Sequence, residues 1–357
     1  MRRGFTGMSL RQALKAHARR VVAGALSIAP PFVSNAARGI IEKIVFNNVP
    51  AVDNLPPIFH YWSNKFLRPQ FESIGYASPN DFFLKTVEQK VQAGPDRVRV
   101  LSVGAGRCEM ELSLAKNLLD RGMRNFSFAC MDLNGRMLRT AAAEAAKLGI
   151  ESKFAFVQKD IARFKAVEKY DVVIANQCLH HFVALEAAFD SIRASMSEGG
   201  SFITSDVIGR NGHQLWPEAV EEVLELWQTL PSRYKYDRTL GRLSEAYVNY
   251  NHANVGFEGI RAQDILPLLI ERFEFEVFAP HACIILPFVE RRFGWNFNID
   301  EQSDRDFIDR VAMRDETLLA SGKLKPTQLL ARMSTAPVRD YVSTCVFSPR
   351  DCIRWPD

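Results

Sequence analysis

The chain has 357 residues, 47% of them hydrophobic and 24% charged, a balance that excludes wholesale disorder and leaves room for a large buried core. The formal charge of +4 is concentrated at one end: residues 1–41 hold seven basic side chains and no acid, leaving −3 for residues 42–357. A body without a basic stripe argues against a nucleic-acid partner. The longest apolar run, residues 21–33, is interrupted by Gly24, Ser27, Pro30 and Pro31 and is too short to span a membrane.

In the N-terminal arm, Arg11, Lys15 and Arg19 recur every four residues, with Leu14, Val21, Val22, Leu26 and Ile28 nearby. The spacing predicts a solvated basic helix packed on the body, with a membrane-surface segment or an Arg-rich targeting sequence as alternatives. Helical periodicity over 36–45 and 81–91, punctuated by Pro50, Pro56, Pro57 and Pro69, makes residues 1–95 a helical arm and cap. From residue 97 the pattern changes to short apolar strands at 98–103, 126–131, 154–158, 171–175 and 201–207. Helical stretches at 109–121, 136–148 and 184–196 separate them. That alternation predicts a doubly wound, mostly parallel α/β sheet in a core over 96–207. The alternation then lapses, and helical periodicity at 217–230 and 260–271 makes 208–272 an insertion shaping a substrate pocket. Residues 273–336 complete the sheet with a strand at 273–278, a helix at 305–319 and an apolar run at 327–333, and 337–357 is a tail. The six cysteines, Cys108, Cys130, Cys178, Cys283, Cys345 and Cys352, show no metal-ligand spacing, which predicts no metal and a reducing, cytoplasmic location.

In an open α/β sheet, ligands bind beyond the carboxyl ends of the strands. After the first strand comes Gly104-Ala105-Gly106-Arg107-Cys108-Glu109, a Gly-x-Gly turn that offers backbone amides at a helix N-terminus. The acid Glu109 disfavours a dinucleotide pyrophosphate there but suits the ammonium of an amino-acid group. The second strand ends in Asp132, followed by Leu133, and a carboxylate at this place suits a ribose diol, although a strand-end or N-cap role is equally open. Asp160 and Ile161 end the third strand. Asn176, Gln177, His180 and His181 follow the fourth.

As a set, the Gly104-Ala105-Gly106 loop, Asp132-Leu133 with Met137, Asp160-Ile161, the Leu-His-His-Phe segment 179–182 and the Glu198-Gly199-Gly200 turn resemble the core of class I S-adenosylmethionine-dependent methyltransferases. Within that family the chain resembles bacterial small-molecule methyltransferases. The resemblance implies a seven-stranded Rossmann-like sheet and S-adenosyl-L-methionine as cofactor. Gly104, Ala105 and Gly106 would border its methionine part, Asp132 its ribose, and Leu133, Met137, Asp160 and Ile161 its adenine, with Asn176 and Gln177 at the same edge. Ser102 stands where the family often has an acid, a role Glu109 would partly fill. Tyr61, in the aromatic stretch 59–62, would close over the cofactor.

The reading is methyl transfer to a small-molecule acceptor, foremost at a hydroxyl oxygen. Transfer to nitrogen or carbon, or a non-catalytic cofactor-binding scaffold, are the alternatives. A hydroxyl acceptor needs a base, and imidazole is the usual choice. His181 ranks first, then His213 and His180, with His252 a further candidate. An unperturbed imidazole would make activity fall as the pH drops through roughly 6.5. The sequence leaves the acceptor and the oligomeric state open.

Overall fold

A computed structural model describes residues 55–94, 96–254 and 257–356. The basic arm and the helix expected at 36–45 lie outside the described residues. The cap comprises α1 (Pro57–Trp62), a single π turn, α2 (Arg68–Ser73) and α3 (Pro79–Ala93). Its best-defined start is α3, where Ser78 Oγ accepts from Asp81 N at 3.1 Å and Asp81 Oδ2 accepts from Ala77 N at 2.8 Å. This is a reciprocal cap, and Pro79 in the first turn forfeits no helical hydrogen bond.

The core then runs β1 (Val98–Val103), α4 (Glu109–Asp120), β2 (Phe126–Asp132), α5 (Gly135–Lys147), β3 (Phe154–Gln158), β4 (Tyr170–Asn176), α6 (Leu185–Ser195) and β5 (Met196–Val207). After it come α7 (Pro217–Gln228), a short hairpin of Tyr236–Asp237 with Arg242–Leu243, α8 (Ala262–Arg272), β6 (Glu274–His281), α9 (Gln302–Ala320), β7 (Gln328–Ser334) and β8 (Val342–Ser343). The sheet order is β8-β6-β7-β5-β4-β1-β2-β3.

Strands β1 to β5 pair in parallel, whereas β7 lies antiparallel between β5 and β6. The sheet therefore has eight strands, the expected seven plus the two-residue edge strand β8, which pairs with β6. The central strands are apolar on both faces because both are covered. Val100, Val172 and Ile174 pack toward the side of α3 and α4, while Leu101, Val103, Val173 and Ala175 pack toward α6 and α8. The stretch expected as a helical insertion differs in two ways: it contains the hairpin, and α8 packs on α6 as a layer of the core. The order reverses between β1 and β4, which opens a crevice beyond their carboxyl ends.

His281, the last residue of β6, stands edge-on to Phe71 of α2, with ring centroids 5.4 Å apart. Burial lowers it to about 4, against which its bond to the Ala279 carbonyl acts only weakly. The unfolded chain takes up this proton near pH 6.5 and the folded protein only near 4, so the neutral ring's stabilisation is complete above 6.5 and is lost as the pH falls through that window. Wild type is expected to lose about 3 kcal/mol between pH 7.5 and 4 relative to His281→Gln in parallel urea titrations. Equal losses in the two proteins would refute the assignment.

Candidate functional site

The crevice holds a cavity of about 370 Å³ lined by Gly104, Gly106, Asp132, Leu133, Met137, Asp160, Ile161, Gln177 and His181, among others. Its polar floor is built from the β1 and β2 ends. Asp132 Oδ2 accepts from Gly106 N at 2.8 Å and Oδ1 from Asn134 N at 2.7 Å. The carboxylate thus braces the glycine loop, and each oxygen keeps a second lone pair for a ligand. Burial raises Asp132, while the Asn134, Gly106 and Leu133 amides oppose the shift. Asn134 caps α5 by accepting from Arg136 N and Met137 N at 3.0 and 3.2 Å, which sets Met137 against the cavity. Asp160 Oδ1 accepts from Ala162 N at 2.9 Å and so turns Ile161 and Ala162 into the wall.

The two glycines do different work. A Cβ on Gly104 would stand 2.6 Å from Cys178 Cβ, and its φ of +63° is left-handed, so this glycine is required by the packing of the β1 loop on the β4 loop. Gly106 also has positive φ, but a Cβ there would meet only Met137 Sδ at 3.8 Å. It is the position at which backbone faces the cavity.

Ala105 and Asn176 line a second hollow, of about 350 Å³, beside the first and sharing Gly104, Gly106 and Met137 with it. Here the structure supplies an acid the sequence reading missed. Ser102 Oγ donates to Glu111 Oε1 at 2.6 Å, and Glu111 is buried beneath the loop. Burial raises its carboxyl group, which the Ser102 bond partly opposes. Glu109 is exposed at the rim of this hollow, so Glu111 is the inner carboxyl group. The signal was the i, i+2 pair of acids at the helix start, of which only the second turns toward the sheet.

Tyr61 is corrected. Its hydroxyl donates to Asp309 of α9 at 3.0 Å and accepts from Lys65 at 3.0 Å, tying the cap to the far helix, and it is not among the residues lining the cavity.

The histidines gather beyond β4 and β5. Gln177 turns the chain with a left-handed φ of +50°, its amide donating to the Ser205 carbonyl at 2.8 Å, and His180 and His181 follow in a 3-10 turn, Leu179–His181. Asp206, buried on β5, accepts from Cys178 N at 2.9 Å and Leu179 N at 2.8 Å through Oδ2, and from Val207 N at 2.8 Å through Oδ1. The same Oδ1 lies 2.6 Å from His180 Nδ1, and His180 Nε2 lies 3.7 Å from Glu258 Oε2. Burial opposes a charge on His180, but the two carboxylates outweigh it and raise the ring to about 10. Burial alone would raise both carboxyl groups, yet His180 holds Asp206 low and Glu258 at about 2. His180 is therefore corrected as a base: without a competing cation it keeps both protons.

His181 lies beside it, with ring centroids 4.1 Å apart and planes tilted by 49°, and lines the cavity. Burial, reinforced by the charge on His180, lowers His181 to about 4, so the expectation of a midpoint near 6.5 is also corrected. Its Nδ1 lies 3.4 Å from the Phe257 carbonyl, a weak bond that favours the proton on Nδ1 and the lone pair on Nε2.

His213, beyond β5, is not among the cavity-lining residues, and its ring faces His180 at 4.9 Å and His252 at 6.0 Å. Burial and the His180 charge lower it to about 3, and burial lowers His252. Asp206 and Glu258 were not singled out in the sequence because neither shares a local pattern with His180.

Residues 95–257 match a family described as "Methyltransferase domain". A curated relative, a highly reducing polyketide synthase of Gibberella fujikuroi, is 30% identical over 139 residues, which is 38% of this chain, and the chain spans 5% of that protein's length. Among solved structures, a putative methyltransferase from Bacillus halodurans is 15% identical with a TM-score of 0.39, over 71% of this chain and 99% of that one. The plantazolicin methyltransferase BpumL, solved with a triazolic desmethylPZN analog and SAH, is 14% identical with a TM-score of 0.39, over 92% and 100%. The O-methyltransferase of a Brevibacillus brevis polyketide synthase multienzyme is 12% identical with a TM-score of 0.40, over 72% and 75%. Among the described residues, no helix is long and apolar enough to cross a membrane.

Proposed function

We propose that residues 95–257, a class I S-adenosylmethionine-dependent methyltransferase domain, serve an enzyme that methylates a hydroxyl oxygen of a small molecule. The residues fit the cofactor. Asp132 offers lone pairs to a diol, Leu133, Met137, Ile161 and Ala162 offer apolar faces to a purine, and Glu111 with Ser102 offers an acid beneath the loop for an ammonium. The cofactor supplies a methyl group already activated on a sulfonium, so the protein's share is to place the acceptor, exclude water and remove a proton.

The observation that carries the oxygen assignment is His181, a neutral imidazole in the cavity wall whose Nδ1 is directed at a backbone carbonyl. Its Nε2 takes the hydroxyl proton as the oxygen–methyl bond forms and the sulfur–methyl bond breaks, the electron pair of that bond remaining on sulfur. Buried Asp206 and His180, with the partly exposed Glu258 at the end of the row, hold the turn that carries His181, so His180 acts as a positioning residue.

Incubating the full chain with methyl-labelled cofactor and fractionated metabolites tests the reading: the label should appear as a methyl ether or ester. Label only on nitrogen or carbon would replace the acceptor assignment, and no label would favour a binding scaffold. In the same material Asp132→Ala should weaken cofactor binding by about 1.5 to 3 kcal/mol, roughly tenfold to a hundredfold by calorimetry. Unchanged affinity would leave Asp132 as a loop brace alone.

A further inference from the structure

One ring nitrogen each of His180 and His213 and a carboxylate oxygen of Glu258 lie within 4.8 Å of one another, and His180 Nε2 is 3.7 Å from Glu258 Oε2. They come from three separate segments beyond the carboxyl edge of the sheet. We propose that these three side chains form a binding site for a divalent first-row transition cation. His213 Nε2 is buried with no hydrogen-bond partner, whereas buried polar atoms in folded proteins nearly always have one. A proton shared between His180 and Glu258 satisfies those two groups and leaves His213 without a partner. A cation satisfies all three.

A metal-bound imidazole ordinarily gives its other ring N–H to a carboxylate, which fixes the tautomer and the ring plane. Asp206 stands in that place, 2.6 Å from His180 Nδ1, and is itself fixed by three backbone amides. Such a mount leaves Nε2 as the coordinating nitrogen once a cation displaces its proton.

The backbone brings the ligands together. His213 has a left-handed φ of +53°. Its ring lies so close over Gly259 that a Cβ there would stand 2.3 Å from His213 Cδ2, and Gly212 N donates to Gly259 O at 2.7 Å. The two loops are thus tied at the residues beside the ligands, in conformations a side chain at 259 would forbid. Two ligand atoms about 2.1 Å from one cation stand roughly 3.4 Å apart in a tetrahedral site, so the three groups would draw in by about 1 Å. Glu258, whose side chain is 42% exposed, has room for that movement.

Two imidazoles and one carboxylate suit Zn²⁺, Co²⁺, Mn²⁺ or Fe²⁺, whereas Mg²⁺ takes oxygen ligands. Three protein ligands also leave coordination positions open. The expectation of no metal rested on cysteine and cysteine–histidine spacing along the chain, whereas this set is drawn from three distant segments. The site's use rests on the hydroxyl reading above: an acceptor oxygen held on the cation beside His181 would lose its proton more readily.

The test measures binding without any acceptor. Full-length protein stripped with a chelator is titrated with Co²⁺, followed by its visible absorption, and with Zn²⁺ by calorimetry. One equivalent should bind, and Mg²⁺ should not substitute. His213→Ala and Glu258→Gln should each weaken Zn²⁺ binding by at least about a hundredfold while circular dichroism and melting remain near wild type. His60→Ala, at an exposed ring in the cap, should change nothing. Absence of saturable binding overturns the site, as does one-equivalent binding that survives both substitutions. A protein that takes up the cation through these residues yet methylates no hydroxyl keeps the site and refutes the reaction assignment.

Discussion

Replacing His181 by alanine is expected to lower turnover on a hydroxyl acceptor by about 10² to 10⁴ while leaving cofactor affinity within a few-fold of wild type. The expectation is local in origin. Gln177 adopts a left-handed φ to leave β4, and the Leu179–His181 turn that follows sets one ring toward Asp206 and the next into the cavity wall. Burial and the neighbouring positive charge keep the His181 ring neutral, and the Phe257 carbonyl directs its proton to Nδ1. Truncation removes the acceptor for the substrate proton and leaves the glycine loop, Asp132 and Ile161 in place. Single-turnover rates and calorimetry on the same variant separate the two effects. A loss of cofactor affinity with turnover at saturation preserved would make His181 a wall of the cofactor cavity, and normal turnover would refute its role as base.

Much of the core was legible because the signals are short-range. Central parallel strands buried on both faces read as apolar runs, and β3 (Phe154–Gln158) and α4 (Glu109–Asp120) lie within a residue of their expected ends. The glycine loop, Asp132, Ile161 and His181 share an edge because each ends a parallel strand or lies in the short turn after one. Pairing order is a different matter, since nothing in the periodicity of residues 327–333 announces an antiparallel strand inserted between β5 and β6. The histidine network was illegible for the same reason: His180 meets Asp206 across 26 residues, and it meets Glu258 through loops with no repeating pattern. Tyr61 failed through the opposite error. An aromatic in a cap segment has many partners open to it, and Asp309 on a distant helix captured this one.

The most severe loss of stability is expected at Asp206, which carries none of the proposed chemistry. Its carboxylate accepts from Cys178 N, Leu179 N and Val207 N and faces His180 Nδ1, all in a region without exposure to water. Asp206→Ala strands three buried amides and an imidazolium together and is expected to cost about 3 to 5 kcal/mol, a large part of the stability of an ordinary domain. Asp206→Asn keeps the volume and one acceptor oxygen but turns an amide donor toward other donors, so an intermediate loss is expected. Urea unfolding should show a lower midpoint with little change in slope, because the same surface is exposed on unfolding. Methyl transfer should fall with stability in both variants, since Asp206 fixes the start of the turn that carries His180 and His181. A loss below about 1 kcal/mol in the alanine variant would mean that water or a rearranged loop takes over the three amides. The row from Asp206 through His180 to Glu258 would then no longer account for the placement of the base.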